Sequence, residues 1–215
     1  MMNDRGQRHA DETVTLTNYT TRNPIIRLLL HNFMQQTGRL LKAIGAQGLY
    51  GLDAGCGEGH FLAYLYAQNI LGRMVAVDLD ERKLRYARQH YPLCEYRRGN
   101  IQNLPFADNT FDFVLTTEVF EHLPDPETAL SELNRVARPG AHLIVSVPFE
   151  PFFHWGNLLR GLYWERGGRT PDHRSFWHRS EFRQFLSGQV SLSHQYSITT
   201  FPWLLFAGRF IDAGA

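Results

Sequence analysis

Three groups of residues in this 215-residue chain could do chemistry. The first is Asp53, Gly55, Cys56, Gly57, Glu58 and Gly59, with Asp78 further on. Glycines there let the backbone approach a ligand more closely than a Cβ would permit, and carboxylates flank the approach. The second is Glu118-Val119-Phe120-Glu121-His122, whose carboxylates and imidazole could take a proton or hold a cation. The third is an aromatic run over 149–179 that mixes Trp155, Tyr163, Trp164, His173 and Trp177 with arginines, a composition that suits an aromatic, lipid-like or anionic molecule.

The elements that position the first group are legible around it. A short apolar run ends at Asp53, and Phe61, Leu62, Leu65 and Tyr66 then recur at helical spacing, so the glycines join a strand to a helix. Val75 to Asp78 reads as the next strand. Asp78 falls roughly 20 residues after the turn, where a strand–helix–strand unit presents an acid to ribose hydroxyls. A dinucleotide's pyrophosphate needs a turn free of acids, but Asp53 precedes this one and Glu58 lies inside it. Two carboxylates suit a nucleoside ligand carrying an ammonium and a sulfonium.

The run Leu52-Asp53-Ala54-Gly55-Cys56-Gly57-Glu58-Gly59 resembles motif I, L-D-x-G-C-G-x-G, of the class I S-adenosylmethionine-dependent methyltransferases, in their small type 11-like form. Gly99 to Asp112 resembles their segment G-D-x-x-x-L-P-F-x-D-x-x-F-D. The resemblance implies S-adenosyl-L-methionine as cofactor and S-adenosyl-L-homocysteine as product. Its site would be lined by Asp53, Gly55, Cys56, Gly57, Asp78, Leu79, Asn100, Ile101 and Thr117. In the family an acid after the glycine accepts a hydrogen bond from the adenine amine, and the next residue's backbone meets the ring. Here that position is Asn100, whose amide oxygen can accept the bond but brings no charge. Cys56 reads as a small side chain packed under the turn rather than a nucleophile.

Further along, Asp80 can cap a helix, Glu95 to Gly99 and Phe113 to Thr117 read as strands, and Asp125-Pro126-Glu127-Thr128 opens a helix that Pro139-Gly140 stops. Ala141 to Val147 is an uncharged strand. Alternation of this kind means an α/β fold, a doubly wound, Rossmann-like sheet with helices on both faces and ligands at the carboxyl ends of the strands. With the resemblance, seven strands are expected, mostly parallel, closed by a C-terminal antiparallel hairpin from Val190 to Thr199 and Phe201 to Phe210. One domain over 1–215 is expected, with an arm at 1–17, a helical cap at 18–45, a cofactor core at 46–148, a substrate lid at 149–179, and a closing helix and strands at 180–215. Tyr19 and Arg22 are candidates for touching the cofactor's carboxylate or the substrate.

The implied reaction is methyl transfer by in-line displacement, in which the enzyme holds donor and acceptor in line and excludes water. His122 is the candidate proton acceptor. The E-x-x-E-H spacing also resembles a divalent-metal site of small-RNA 2′-O-methyltransferases and ubiquinone-pathway O-methyltransferases. That likeness would enlist Glu118, Glu121, His122 and His173 around Mg²⁺ or Mn²⁺, yet E-H-L is common after this strand in metal-free relatives, and no metal is the expectation. The leading acceptor is a small molecule or lipid-like compound, methylated at oxygen, nitrogen or carbon. The alternatives are a metal-assisted RNA 2′-O-methyltransferase, a dinucleotide-dependent oxidoreductase and a non-catalytic cofactor-binding module.

Net charge is +1 with an isoelectric point near 7.9, which makes no electrostatic case for a nucleic-acid partner. Arg82, Lys83, Arg85 and Arg88 read as a solvated helix face. No apolar run approaches the ~18 residues of a membrane span, no signal peptide opens the chain, and a cytoplasmic location is expected.

Overall fold

The computed structural model describes residues 21–149, 173–195 and 201–211, together with Phe152 and Glu165. The N-terminal arm, Tyr19, and the candidate lid residues Trp155, Tyr163 and Trp164 lie outside the described residues.

Helix α1 spans Pro24–Ala43, with Asn23 as its cap: the Asn23 side chain accepts from the Ile25 N–H at 2.9 Å and Pro24 stands in the first turn. Leu30, Phe33, Thr37, Leu40 and Leu41 recur at helical spacing and form its buried stripe. Strand β1 (Gly51–Ala54) is buried at every position, as a central parallel strand must be. It is followed by α2 (His60–Ala67), β2 (Met74–Asp78), α3 (Glu81–His90) and β3 (Glu95–Arg98). Asp80 caps α3 through the Arg82 N–H at 2.8 Å. Strand β4 (Phe111–Thr117) leads through a 3₁₀ turn, Phe120–His122, into α4 (Pro126–Val136), which Asp125 caps by accepting from the Thr128 N–H at 3.0 Å.

The seven strands lie in the order β3-β2-β1-β4-β5-β7-β6, where β5 is Ala137–Pro148, β6 is Val190–Gln195 and β7 is Trp203–Phe210. Pairings from β3 to β5 are parallel, and β7 runs antiparallel to both β5 and β6. Helix α5 (Arg179–Ser187) precedes this closing pair. Alternation along the strands splits the core into two layers. Leu52, Val75, Val114, Val145 and Phe206 face α4 and α5, while Ala76, Phe113, Leu115, Ile144 and Leu205 face α1, α2 and α3.

Two boundaries depart from expectation. Helix α4 ends at Val136 and β5 starts at Ala137, ahead of Pro139-Gly140, because Arg138 precedes a proline and is steered out of helical geometry. A register shift between Phe111 and Phe113 absorbs the early start, and Gly140 turns the chain at φ +71°. Strand β7 starts at Trp203 rather than Phe201; β6 is described over Val190–Gln195, and the remainder of the expected Val190 to Thr199 strand lies outside the described residues. No described helix is long and apolar enough to cross a membrane.

Candidate cofactor and acceptor site

The parallel order places the ends of β1, β2 and β4 side by side, with β1 in the middle. At the end of β1 the chain enters Gly55 at φ +92°, Gly57 at +55° and Gly59 at +78°, a series that L side chains adopt only with strain. Gly55 is required twice over, because a Cβ there would lie 2.2 Å from Val119 Cγ2. Val119 belongs to the loop after β4, so two strand ends close on each other at this glycine.

The N–H groups of Gly55 and Cys56 both donate to Val77 O, at 2.8 and 2.9 Å, and the Gly57 N–H donates to Asp78 Oδ2 at 2.8 Å. Asp78 Oδ1 accepts from the Asp80 N–H, also at 2.8 Å. Asp78 therefore ties the glycine turn to the start of α3, and each oxygen keeps a lone pair for a further donor. Asp53 is buried beneath the turn. Burial, and after it the charge of Asp78, pushes its carboxyl up to about 8. The Cys56 thiol is driven up by burial first and then by Asp53 and Asp78, so a thiolate is disfavoured there.

Leu79 is exposed at the mouth of an open cleft lined also by Asp78, Asp80, Arg82, Lys83 and Arg98. An apolar side chain left in the open beside a ribose-binding candidate suits the face of a base. Asn100 is exposed, and its Oδ1 accepts from the Gln102 N–H at 3.0 Å, while Ile101 is buried in the core. The loop carrying these residues is clamped from α4. The Leu104 N–H donates to Glu132 Oε1 at 2.6 Å, and Arg135 donates to Leu104 O at 3.1 Å, Phe106 O at 2.9 Å and Glu132 at 2.7 Å. Sequence reading missed this pair, although Glu and Arg three apart on a helix were a visible signal.

Thr117, half-buried, ends β4 opposite Ser146. Glu118 then takes φ +57°, its N–H donating to Ser146 O at 3.2 Å and its Oε1 accepting from Ser146 Oγ at 3.1 Å. The next residues bring part of the second and third groups together. Glu121 is 1% exposed, its Oε1 lies 3.8 Å from His122 Nε2, and the His122 and His173 rings meet edge-to-face at 5.1 Å. Glu121 O accepts from the N–H groups of Arg174 at 2.7 Å and Ser175 at 3.1 Å, which fixes the segment carrying His173 against the 3₁₀ turn. Trp177 packs on Phe182 at 5.0 Å and Phe185 at 5.2 Å. Beside the end of β5, Phe149, Phe152 and Phe201 form a chain of rings at 5.1 and 4.6 Å, with Phe152 and Phe201 exposed.

Residues 52–145 match the family model described as a methyltransferase domain. Over 97 residues the chain is 41% identical to a probable S-adenosylmethionine-dependent methyltransferase of Mycolicibacterium smegmatis, covering 45% of this chain and 37% of the relative. Over 118 residues it is 37% identical to malonyl-[acyl-carrier protein] O-methyltransferase of Yersinia pestis, covering 54% and 43%. The chain thus spans about two-fifths of the length of these relatives. In fold it is similar to the N-methyltransferase NodS of Bradyrhizobium japonicum, solved with S-adenosyl-L-homocysteine, at a TM-score of 0.65 and 20% identity over 88% of this chain and 89% of that one.

Proposed function

We propose that this chain, whose residues 52–145 are a class I S-adenosylmethionine-dependent methyltransferase domain, moves the cofactor's methyl group to a small-molecule or lipid-like acceptor by in-line displacement. One observation carries the reading: the hydrogen bond from the Gly57 N–H to Asp78, which holds a strained glycine turn and an acid at adjoining strand ends as one preformed cradle. In this reading Asp78 takes the ribose hydroxyls, Asn100 and the Ile101 backbone take the adenine edge, and Leu79 takes its face. Gly55, Cys56 and Gly57 pass close to the amino-acid part, with Asp53 beneath them and Thr117 at the neighbouring strand end.

The acceptor side begins at Glu118. His122, half-exposed beside the buried Glu121 carboxylate, is the group placed to take a proton from an acceptor hydroxyl or amine, a role worth roughly 10²- to 10⁴-fold in rate. The exposed Phe152–Phe201 rings favour an acceptor with an apolar or aromatic body. That the Yersinia pestis relative is named for O-methylation of an acyl-carrier-bound malonyl group supports an oxygen acceptor. Segments 18–45 and 149–179 would cap and border the crevice, with 46–148 as the cofactor core and 180–215 closing the sheet.

Calorimetric titration tests the reading. S-adenosyl-L-homocysteine should bind with one-to-one stoichiometry and raise the melting temperature, while NAD and NADP should do neither. Stabilisation by a dinucleotide alone would overturn it.

A further inference from the structure

We infer that the N-terminal end of α1 is a docking surface for a bilayer containing anionic phospholipid, set so that the mouth of the crevice faces the membrane. Helix α1 hands the chain to β1 through the short turn Ala46–Gly48, and Gln47 in that turn lies against Gly72, just ahead of β2. Its last turn is therefore at the amino ends of the strands, and its earlier turns lie toward the carboxyl ends. Phe33 marks the level it has reached there: its ring packs on Trp203 at 5.2 Å, and Trp203 stands opposite Pro148, the last residue of β5. Leu28 and Ile25 lie about 7.5 and about 12 Å before Phe33 along the helix axis. The first turns of α1 thus extend past the sheet on the crevice side. Ile25 and Leu28 share one face of the helix, and both are 67% exposed. Beside them runs an open groove of about 450 Å³, lined by Pro24, Arg27, Leu28, Leu30, His31 and Met34.

Charge selects the partner. From Thr13 to Leu52 the chain holds Arg22, Arg27, Arg39 and Lys42 but no Asp or Glu, although the whole chain is close to neutral at +1. Arg22 and Arg27 are exposed and flank the Ile25–Leu28 face. An apolar helix face bordered by arginines lies at the boundary of headgroups and acyl chains, its cations drawn to anionic lipid. A nucleic acid would engage the arginines but would leave Ile25 and Leu28 against phosphates, with nothing apolar to bury them. The groove agrees with lipid, since Leu28, Leu30 and Met34 give it an apolar lining and Arg27 puts a guanidinium at its edge, the pattern of an acyl chain with an anionic head. Location agrees as well. The Phe149 N–H donates to Pro202 O, beside Trp203, so the exposed Phe152 and Phe201 rings stand at the same end of the sheet as the overhang of α1. A lipid-like acceptor would pass from the bilayer to that end without crossing water. Delivery of an acceptor rests on the methyltransferase reading, but docking does not.

The full chain is sedimented with vesicles of phosphatidylcholine alone, or of phosphatidylcholine and phosphatidylglycerol in equal parts. Binding to the mixed vesicles should be at least about tenfold tighter than to phosphatidylcholine alone, and should weaken at least about fivefold when salt rises from about 0.05 to about 0.5 M. Ile25→Glu with Leu28→Glu should weaken it more than about tenfold, and Arg27→Gln about threefold. Ile25→Ser with Leu28→Ser removes apolar contact without adding charge, and should cost at least about fivefold. These side chains are exposed, so every variant should keep the wild-type melting temperature. No binding to either vesicle, equal binding to both, or undiminished binding by the serine double variant would overturn the inference. So would a dimer in sedimentation velocity that the serine variant dissolves, in a chain that ignores vesicles, because that assigns the face to a second copy. S-adenosyl-L-homocysteine titrated without vesicles reports on the cofactor separately, so failure of the docking surface and failure of the methyltransferase reading give different results.

Discussion

The Gly57 N–H donates to Asp78 Oδ2 at 2.8 Å, across 21 positions of sequence. This bond makes the glycine turn and the second strand's acid a single object, and it sets what each change nearby should do.

Asp78→Ala should weaken S-adenosyl-L-homocysteine by about 10- to 100-fold, since charge-assisted hydrogen bonds are worth about 1.5–3 kcal/mol. Asp78→Asn keeps one acceptor for the turn and should lose less. Titration calorimetry distinguishes the two, and equal affinity for wild type and Asp78→Ala would remove the ribose assignment.

Gly55→Ala meets two obstacles, a backbone at φ +92° and Val119 Cγ2 at 2.2 Å from the new Cβ. Together they should cost at least about 2 kcal/mol of stability in urea unfolding. Adding Val119→Ala relieves the clash but not the backbone strain, so the double variant should recover part of the loss. Complete recovery would show that the strain is unimportant.

Asn100→Asp introduces a charged acceptor where the chain now offers an amide. The exposed side chain should still accept from the Gln102 N–H, so the loop keeps its shape. Cofactor affinity should rise by about 3- to 10-fold on the strength of a charge-assisted bond to the adenine amine. Unchanged affinity would place the adenine elsewhere.

Arg135→Ala releases the carbonyls of Leu104 and Phe106 and leaves Glu132 without its partner. The cost should be about 2–3 kcal/mol in unfolding, with weaker cofactor binding because Asn100 and Ile101 ride on the same loop. Turnover at saturating cofactor should hold. Arg135→Lys cannot span the same acceptors and should rescue little.

The Asp53 carboxyl, raised to about 8 by burial and then by Asp78, holds a proton in the folded chain that the unfolded chain gives up above about pH 4. Its contribution to stability is therefore complete below the unfolded value and is lost as pH rises through about 8. Melting temperatures from about pH 5 to about pH 9 should fall in the wild type and be flatter in Asp53→Asn. A cationic cofactor favours the ionised form, so its binding should release a proton, seen as a dependence of the calorimetric heat on the buffer's ionisation enthalpy. Identical pH profiles for wild type and variant would deny Asp53 the role.

Much of the cofactor half was legible because its signals are local. Caps such as Asp80 and Asp125 act within three residues, and a glycine turn declares its own positive φ, so these elements stand where expected. Helix α4 ending at Val136, ahead of Pro139-Gly140, was less visible because a register shift between β4 and β5 absorbs the early strand, and only the paired strand records it. The Glu132–Arg135 clamp was missed since its purpose lies in a loop about 30 residues earlier.

By itself the amino-acid sequence determined the order of strands and helices along the chain and the acid-flanked glycine turn. These follow from periodicity, backbone sterics and charge, each a property of neighbouring residues. Tertiary structure alone decided that Val119 closes on Gly55, that Glu118 turns to Ser146, and that Glu121 and His122 meet His173 from a segment some 50 positions away. Those contacts depend on which strand ends lie side by side, and parallel pairing sets that through the whole sheet rather than through any one stretch of chain.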